Sequence, residues 1–156
     1  MLKTLLIVDD REDDVLLTKR AFQRAGSKCQ IEVCQNGEQA IQYLAGQGNY
    51  RDRAAHPLPE LILLDIKMPG IDGFQVLQWL RNQAFLKAIP VVMLTTSDEP
   101  KDVTRAYKAG ANSYLVKPID YEQLEKNLPL LLEYWLHINT APSKMVPIFD
   151  SANNGF

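Results

Sequence analysis

Four short apolar runs stand out along the chain: Leu5-Leu6-Ile7-Val8, Leu61-Ile62-Leu63-Leu64, Val91-Val92-Met93-Leu94 and Tyr114-Leu115-Val116. Continuous runs of this length, rich in branched residues, read as strands buried on both faces. Cys29 to Val33 adds a shorter second strand. Segments of helical period lie between them. Asp13 or Asp14 is placed to cap a first helix carrying Leu17, Ala21, Phe22 and Ala25 on one face, with Gly26 as its stop. Ala40, Ile41, Leu44 and Ala45 mark a second helix after the Asn36-Gly37 turn, and Val76, Leu77 and Leu80 a third. Val103, Ala106 and Tyr107 mark a fourth, entered at Pro100 and ended at Gly110. Asp120 with Gln123 forms a capping-box pattern ahead of a fifth.

Strands alternating with helices imply βα units around a parallel sheet. Right-handed crossovers are nearly obligatory in such units. Five of them at this length predict an α/β fold, a flavodoxin-like (βα)5 three-layer sandwich with strand order 2-1-3-4-5. Two segments depart from the simple repeat. Gly46 to Pro59 is a long polar connection, either a partner-binding loop or a tolerated insertion. The fifth helix is apolar nearly all round: Leu124, Leu128, Leu131 and Trp135 form one stripe, Leu130, Tyr134 and Ile138 another, Leu132 and Leu136 a third. One sheet face cannot cover all three. Either the tail after residue 138 folds back or a second protomer packs there, and a homodimer through this helix is the favoured expectation. Pro129 is expected to kink or break the helix.

The 156 residues suit one domain, with 46% hydrophobic residues enough for a core. A formal charge of -2 and the absence of a basic run argue against nucleic acid or an anionic membrane as partner. Asp9 and Asp10 end the first apolar run too early for a signal peptide, and no window has transmembrane length. Two cysteines without a C-x-x-C motif fit free thiols in a reducing cytoplasm.

The strand ends carry the chemistry. Asp9 and Asp10 close the first strand, Asp65 the third, Thr95-Thr96 the fourth and Lys117-Pro118 the last. In an open parallel sheet these carboxyl ends share one edge, where ligands bind. Order 2-1-3-4-5 places strands one and three side by side, which gathers the three carboxylates. Two unit charges about 4 Å apart repel by about 4 kcal/mol at an effective dielectric of 20. A hard dication relieves this, and an oxygen-only pocket suits Mg²⁺, or Mn²⁺, better than Zn²⁺. Such a cation, an acid nucleophile, a hydroxyl and an ammonium are the parts of a phosphoryl-transfer site.

In this order and at these intervals the set resembles the receiver domain of two-component response regulators. Gly37, Met68-Pro69-Gly70, Asp72-Gly73 and Gly110-Ala111 match as well. The resemblance covers nearly the whole chain, with a receiver at residues 1–138 and a tail, flexible or docked on a dimer, at 139–156. It implies that Asp65 accepts a phosphoryl group from a sensor histidine kinase. It makes Asp9, Asp10, Asp65 and the Lys67 backbone carbonyl metal ligands. Thr95 and Lys117 would bind phosphoryl oxygens, and Thr95 with Tyr114 would be the switch pair. The long loop, Ala111-Asn112-Ser113-Tyr114 and Glu133-Tyr134-Trp135-Leu136 resemble stand-alone regulators paired with cyanobacterial and bacterial phytochromes. The implied activity is self-phosphorylation and self-dephosphorylation, without an outside substrate. Too few residues follow Ile138 for an output domain, so output is expected through protein contact. Two other readings stay open: a Mg²⁺-dependent phosphatase with an aspartyl-phosphate intermediate, and a phosphorylation-independent interaction module.

Overall fold

The computed structural model describes residues 2–143. Five strands, β1 (Thr4–Val8), β2 (Gln30–Cys34), β3 (Leu61–Leu64), β4 (Val91–Thr95) and β5 (Ser113–Val116), alternate with five helices. These are α1 (Glu12–Arg24), α2 (Gly37–Ala45), α3 (Gly73–Arg81), α4 (Pro100–Ala109) and α5 (Tyr121–Leu132). All pairings are parallel, in the order β2-β1-β3-β4-β5. This is the expected flavodoxin-like arrangement. Among the described residues no helix is long and apolar enough to cross a membrane.

The period-two alternation of side chains divides the core into two layers. Leu6, Val8, Ile62, Leu64, Val91 and Met93 pack with Ala40 and Leu44 of α2, Leu77 and Leu80 of α3 and Ala106 of α4. Leu5, Ile7, Leu61, Leu63, Val92 and Leu94 pack with Phe22 of α1 and Leu128 and Leu132 of α5. The register, Leu5↔Leu61 and Leu63↔Val92, keeps the parity in step across the three central strands. One-residue slippage of any of them would exchange its two faces.

Several local expectations are corrected. Helix α1 starts before Asp13 and Asp14, at Glu12, and neither aspartate caps it; both lie in its first turn with Glu12, where the helix dipole favours acids. Its buried face is Val15, Thr18, Ala21 and Phe22, while Leu17 is exposed. Tyr107 of α4 is also exposed, and the buried residue of that helix is Ala106. Asp120 accepts from the Glu122 amide, but the reciprocal half of a capping box is found instead at Asp72 and Gln75, ahead of α3.

Pro129 does not break α5. The helix runs to Leu132 and then widens into a π-helical segment, Glu133–Ile138, with the Asn139 amide bonded to the Tyr134 carbonyl. The buried residues are Leu124, Leu128, Leu132 and Leu136. Four-residue steps overrun an α-turn by about 40° each. The wider turn keeps Leu136 over the core, a common use of π-bulges. Leu131 and Trp135 are half-buried beside it, and Leu130, Tyr134 and Ile138 face outward. The Lys3 ammonium donates to the Leu136 carbonyl and ties this end to β1. Most of the 139–156 tail, including Met145-Val146 and Ile148-Phe149, lies outside the described residues.

The long connection after α2 is folded on itself. Gly48–Tyr50 forms a 3-10 turn, and Arg53 reaches back to the Tyr43 and Leu44 carbonyls at 2.7 and 2.8 Å. The same guanidinium reaches the His56 carbonyl at 3.2 Å. Tyr43, Tyr50 and His56 pack ring to ring with centroids 5.1 to 5.9 Å apart.

Leu63 is 1% exposed and sits between α1 and α5. Leu63→Ala is expected to lower unfolding free energy by about 2–5 kcal/mol, measured by urea denaturation.

Candidate functional site

The register delivers the site. Val8 pairs with Leu64, so Asp9 and Asp65 leave the sheet side by side, and the Asp65 amide still donates to the Val8 carbonyl at 3.0 Å. Thr95 pairs with Val116, which sets Lys117 immediately beyond it, its amide 2.7 Å from the Thr95 carbonyl. Helix α3 begins against the Asp65 backbone. A Cβ on Gly73 would lie 2.1 Å from the Asp65 carbonyl oxygen, so only glycine lets the helix start there.

Carboxylate oxygens of Asp9, Asp10 and Asp65 lie within 4.8 Å of one another, the first and last buried and Asp10 exposed. The Lys117 ammonium reaches back over two strands into this group. It donates to Asp9 Oδ2 at 2.7 Å, Asp14 Oδ2 at 2.9 Å and Asp65 Oδ2 at 3.1 Å, with its side chain 10% exposed. Burial works against the ammonium, but its carboxylate partners outweigh that and hold its pKa above the ordinary value. Burial also pushes the Asp9 carboxyl up from 3.8, opposed by hydrogen bonds from Lys117 and from the Arg11 amide. The Thr95 hydroxyl is fully buried and has no hydrogen-bond partner among the described residues. An unmet buried hydroxyl costs about 1–3 kcal/mol, which a ligand oxygen at this edge would recover. The Tyr114 hydroxyl donates to the Ser97 carbonyl at 2.8 Å, which turns the ring inward under the β4–α4 connection.

The structure therefore brings Asp9, Asp10, Asp65 and Lys117 together, with Thr95 one strand over. Lys67 lies two residues past Asp65 with an exposed side chain. Asp14 was missed as a site residue. Its only sequence signal is an acid one turn into the helix that follows β1, where the chain passes back over the strand end.

This donor set fits a hard dication. It is all carboxylate oxygen, and its spread is close to the about 4.2 Å diagonal of an octahedral Mg²⁺ site with bonds of about 2.1 Å. Asp9, Asp14 and Asp65 share the one Lys117 ammonium, Asp10 adds a further carboxylate beside them, and the Arg11 guanidinium near Asp14 is largely in solvent, so the pocket keeps an excess of negative charge. The folded chain holds the Asp9 proton more tightly than an unfolded one. Without metal, the Asp9 contribution to stability is therefore lost as pH rises from 3.8 through its raised pKa. A bound dication needs the ionised form and reverses that sign. Mg²⁺ at about a hundred times its Kd should stabilise the fold by about 2.7 kcal/mol at neutral pH, read as a shift in melting temperature. Because Asp9 holds its proton more tightly than an ordinary carboxyl, the shift at a fixed Mg²⁺ concentration should shrink on acidification, and a shift of constant size across the acid range would count against Asp9 as a ligand.

Comparison with known proteins agrees with this geometry. Residues 5–129 match the family model of the response regulator receiver domain. The probable methanogenesis regulatory protein FilR2 of Methanothrix harundinacea is 38% identical over 138 residues, 88% of this chain and 86% of that protein. Response regulator Rcp1 of Synechocystis is 33% identical over 141 residues, 90% of this chain and 94% of its own. The crystal structure of the phosphorylated cyanobacterial phytochrome response regulator RcpA superposes with a TM-score of 0.84 at 31% identity, covering 92% of this chain and all of that one (100%). The Mn²⁺-bound form of Rcp1 gives a TM-score of 0.81 at 33% identity, covering 90% and 99%. With its parallel sheet, its acidic edge and relatives matched over most of their length, the chain belongs to the response regulator receiver domain family.

Proposed function

We propose that this chain is a phosphoacceptor switch in which Asp65 takes a phosphoryl group from the phosphohistidine of a sensor kinase. The observation that carries this reading is the buried Asp65 carboxylate held 3.1 Å from the Lys117 ammonium beside a carboxylate set suited to Mg²⁺ or Mn²⁺. An Asp65 oxygen forms the new bond to phosphorus as the phosphorus–nitrogen bond breaks, and the imidazole leaves. Bound Mg²⁺ would neutralise charge on the transferring group, held by Asp9, Asp10, Asp65 and the Lys67 carbonyl. Lys117 stays within reach of a phosphoryl oxygen, and the unpartnered Thr95 hydroxyl donates to another. Movement of Thr95 releases or retains the Tyr114–Ser97 bond, biasing the α4–β5–α5 face between two states.

Relatives named as phytochrome response regulators support a phytochrome as the kinase. The receiver occupies residues 1–138 of a cytoplasmic signalling protein that turns over no outside substrate, and residues 139–156 form its tail. The outward stripe of Leu130, Tyr134 and Ile138 supports a homodimer through α5 and its π-helical extension.

Incubation with Mg²⁺ and a small phosphodonor is expected to add one phosphoryl group to the wild type and none to Asp65→Asn, read by intact mass. Addition to both would move the acceptor elsewhere. Light scattering on the eluting wild type is expected to give twice the chain mass, and Leu130→Glu with Ile138→Glu the mass of one chain. A wild type that elutes as a monomer, phosphorylated or not, removes the dimer.

A further inference from the structure

Lys117 has three N–H donors, and each finds a different carboxylate: Asp9, Asp65 and Asp14. Two of these partners belong to the cluster that would hold the dication; Asp14 does not. A dication held by Asp9, Asp10 and Asp65 would draw on the same two carboxylates that Lys117 now bonds. The ammonium would then share those carboxylates with a second, doubly charged cation, and the two positive charges would repel. Without a third anion, Lys117 and the metal would compete for the same two carboxylates. Asp14 is that third anion. It stands on the first turn of α1, where the dipole favours negative charge. Its side chain is 25% exposed, and its other cationic neighbour, Arg11 at 3.6 Å, is largely in solvent.

We infer that Asp14 is a positioning residue: it holds the Lys117 ammonium off the metal's carboxylates while keeping it within reach of the acceptor, so that lysine and dication occupy the pocket together. The inference deepens the phosphoacceptor reading and rests on its metal site. The role belongs to the charge of Asp14 acting through Lys117. It is therefore separable from packing, which Asp14→Asn preserves, and from through-space attraction for the metal, which does not need the lysine.

The test is Mg²⁺ affinity by isothermal titration calorimetry on four chains: wild type, Asp14→Asn, Lys117→Met and the double variant. Circular dichroism checks that each is folded, and Lys117→Gln serves as the neutral background if the methionine variant is not. Asp14→Asn is expected to weaken Mg²⁺ binding about tenfold in the wild type and less than about twofold where Lys117 is absent, the non-additivity of residues sharing one network. An equal loss in both backgrounds would show that Asp14 acts as a distant charge and would overturn the inference. So would the absence of any loss in the wild-type background. A wild type that binds no Mg²⁺ at all would instead sink the metal site itself, and the inference with it.

Discussion

Negative charge gathered at one sheet edge, beyond what a single ammonium can offset, is the constraint around which this molecule is built. Asp9 and Asp65 cannot move apart, because they follow paired residues of adjacent strands. Both are 5% exposed, so water screens them poorly. Charges that are buried without a partner are unstable. Lys117 is the only cation hydrogen-bonded to them among the described residues, and its backbone is placed by β5, three positions from β1 in the sheet. The edge is thus held by a bond across almost the whole sheet and remains poised for a further positive charge.

The two apolar layers make that arrangement rigid. Strand parity sends alternate side chains of β1, β3 and β4 to opposite helical layers, so the positions of Asp9 and Asp65 are set by leucines and valines on both sides. The cost of displacing the pocket is then the cost of shifting packed strands against α1, α3 and α5, which close packing resists. At the opposite end of the molecule the same demand for burial reshapes α5, whose widened last turn keeps Leu136 with Leu124, Leu128 and Leu132.

The sheet and its acidic edge were legible because buried strands announce themselves as unbroken apolar runs, and a polar residue ending such a run has few places to go. The buried face of α1 was less legible. Leu17 and Thr18 compete for the same turn, and the core takes threonine while leucine faces out, which hydrophobicity alone reverses. Asp14 was hidden among Glu12, Asp13 and the dipole preference that explains all three equally well; only the path of Lys117 in space singles it out. The helix after Pro129 misled for a related reason, since three apolar stripes at α-period do not reveal which one a π-turn will select. Arg53 was invisible because its partners are backbone carbonyls, which no side-chain pattern records.

That arginine changes how the long connection after α2 should be regarded. A free loop loses entropy as one large ring. Here one guanidinium closes it onto the end of α2 and onto its own far side, and the Tyr43 hydroxyl closes it again onto the Pro57 carbonyl at 2.8 Å. The segment is divided into small rings that share their anchors with the helix. Opening the loop would therefore break bonds to the last turn of α2, and fraying that turn would release the loop, so a stretch that looks like an insertion shares its anchors with the helix it follows.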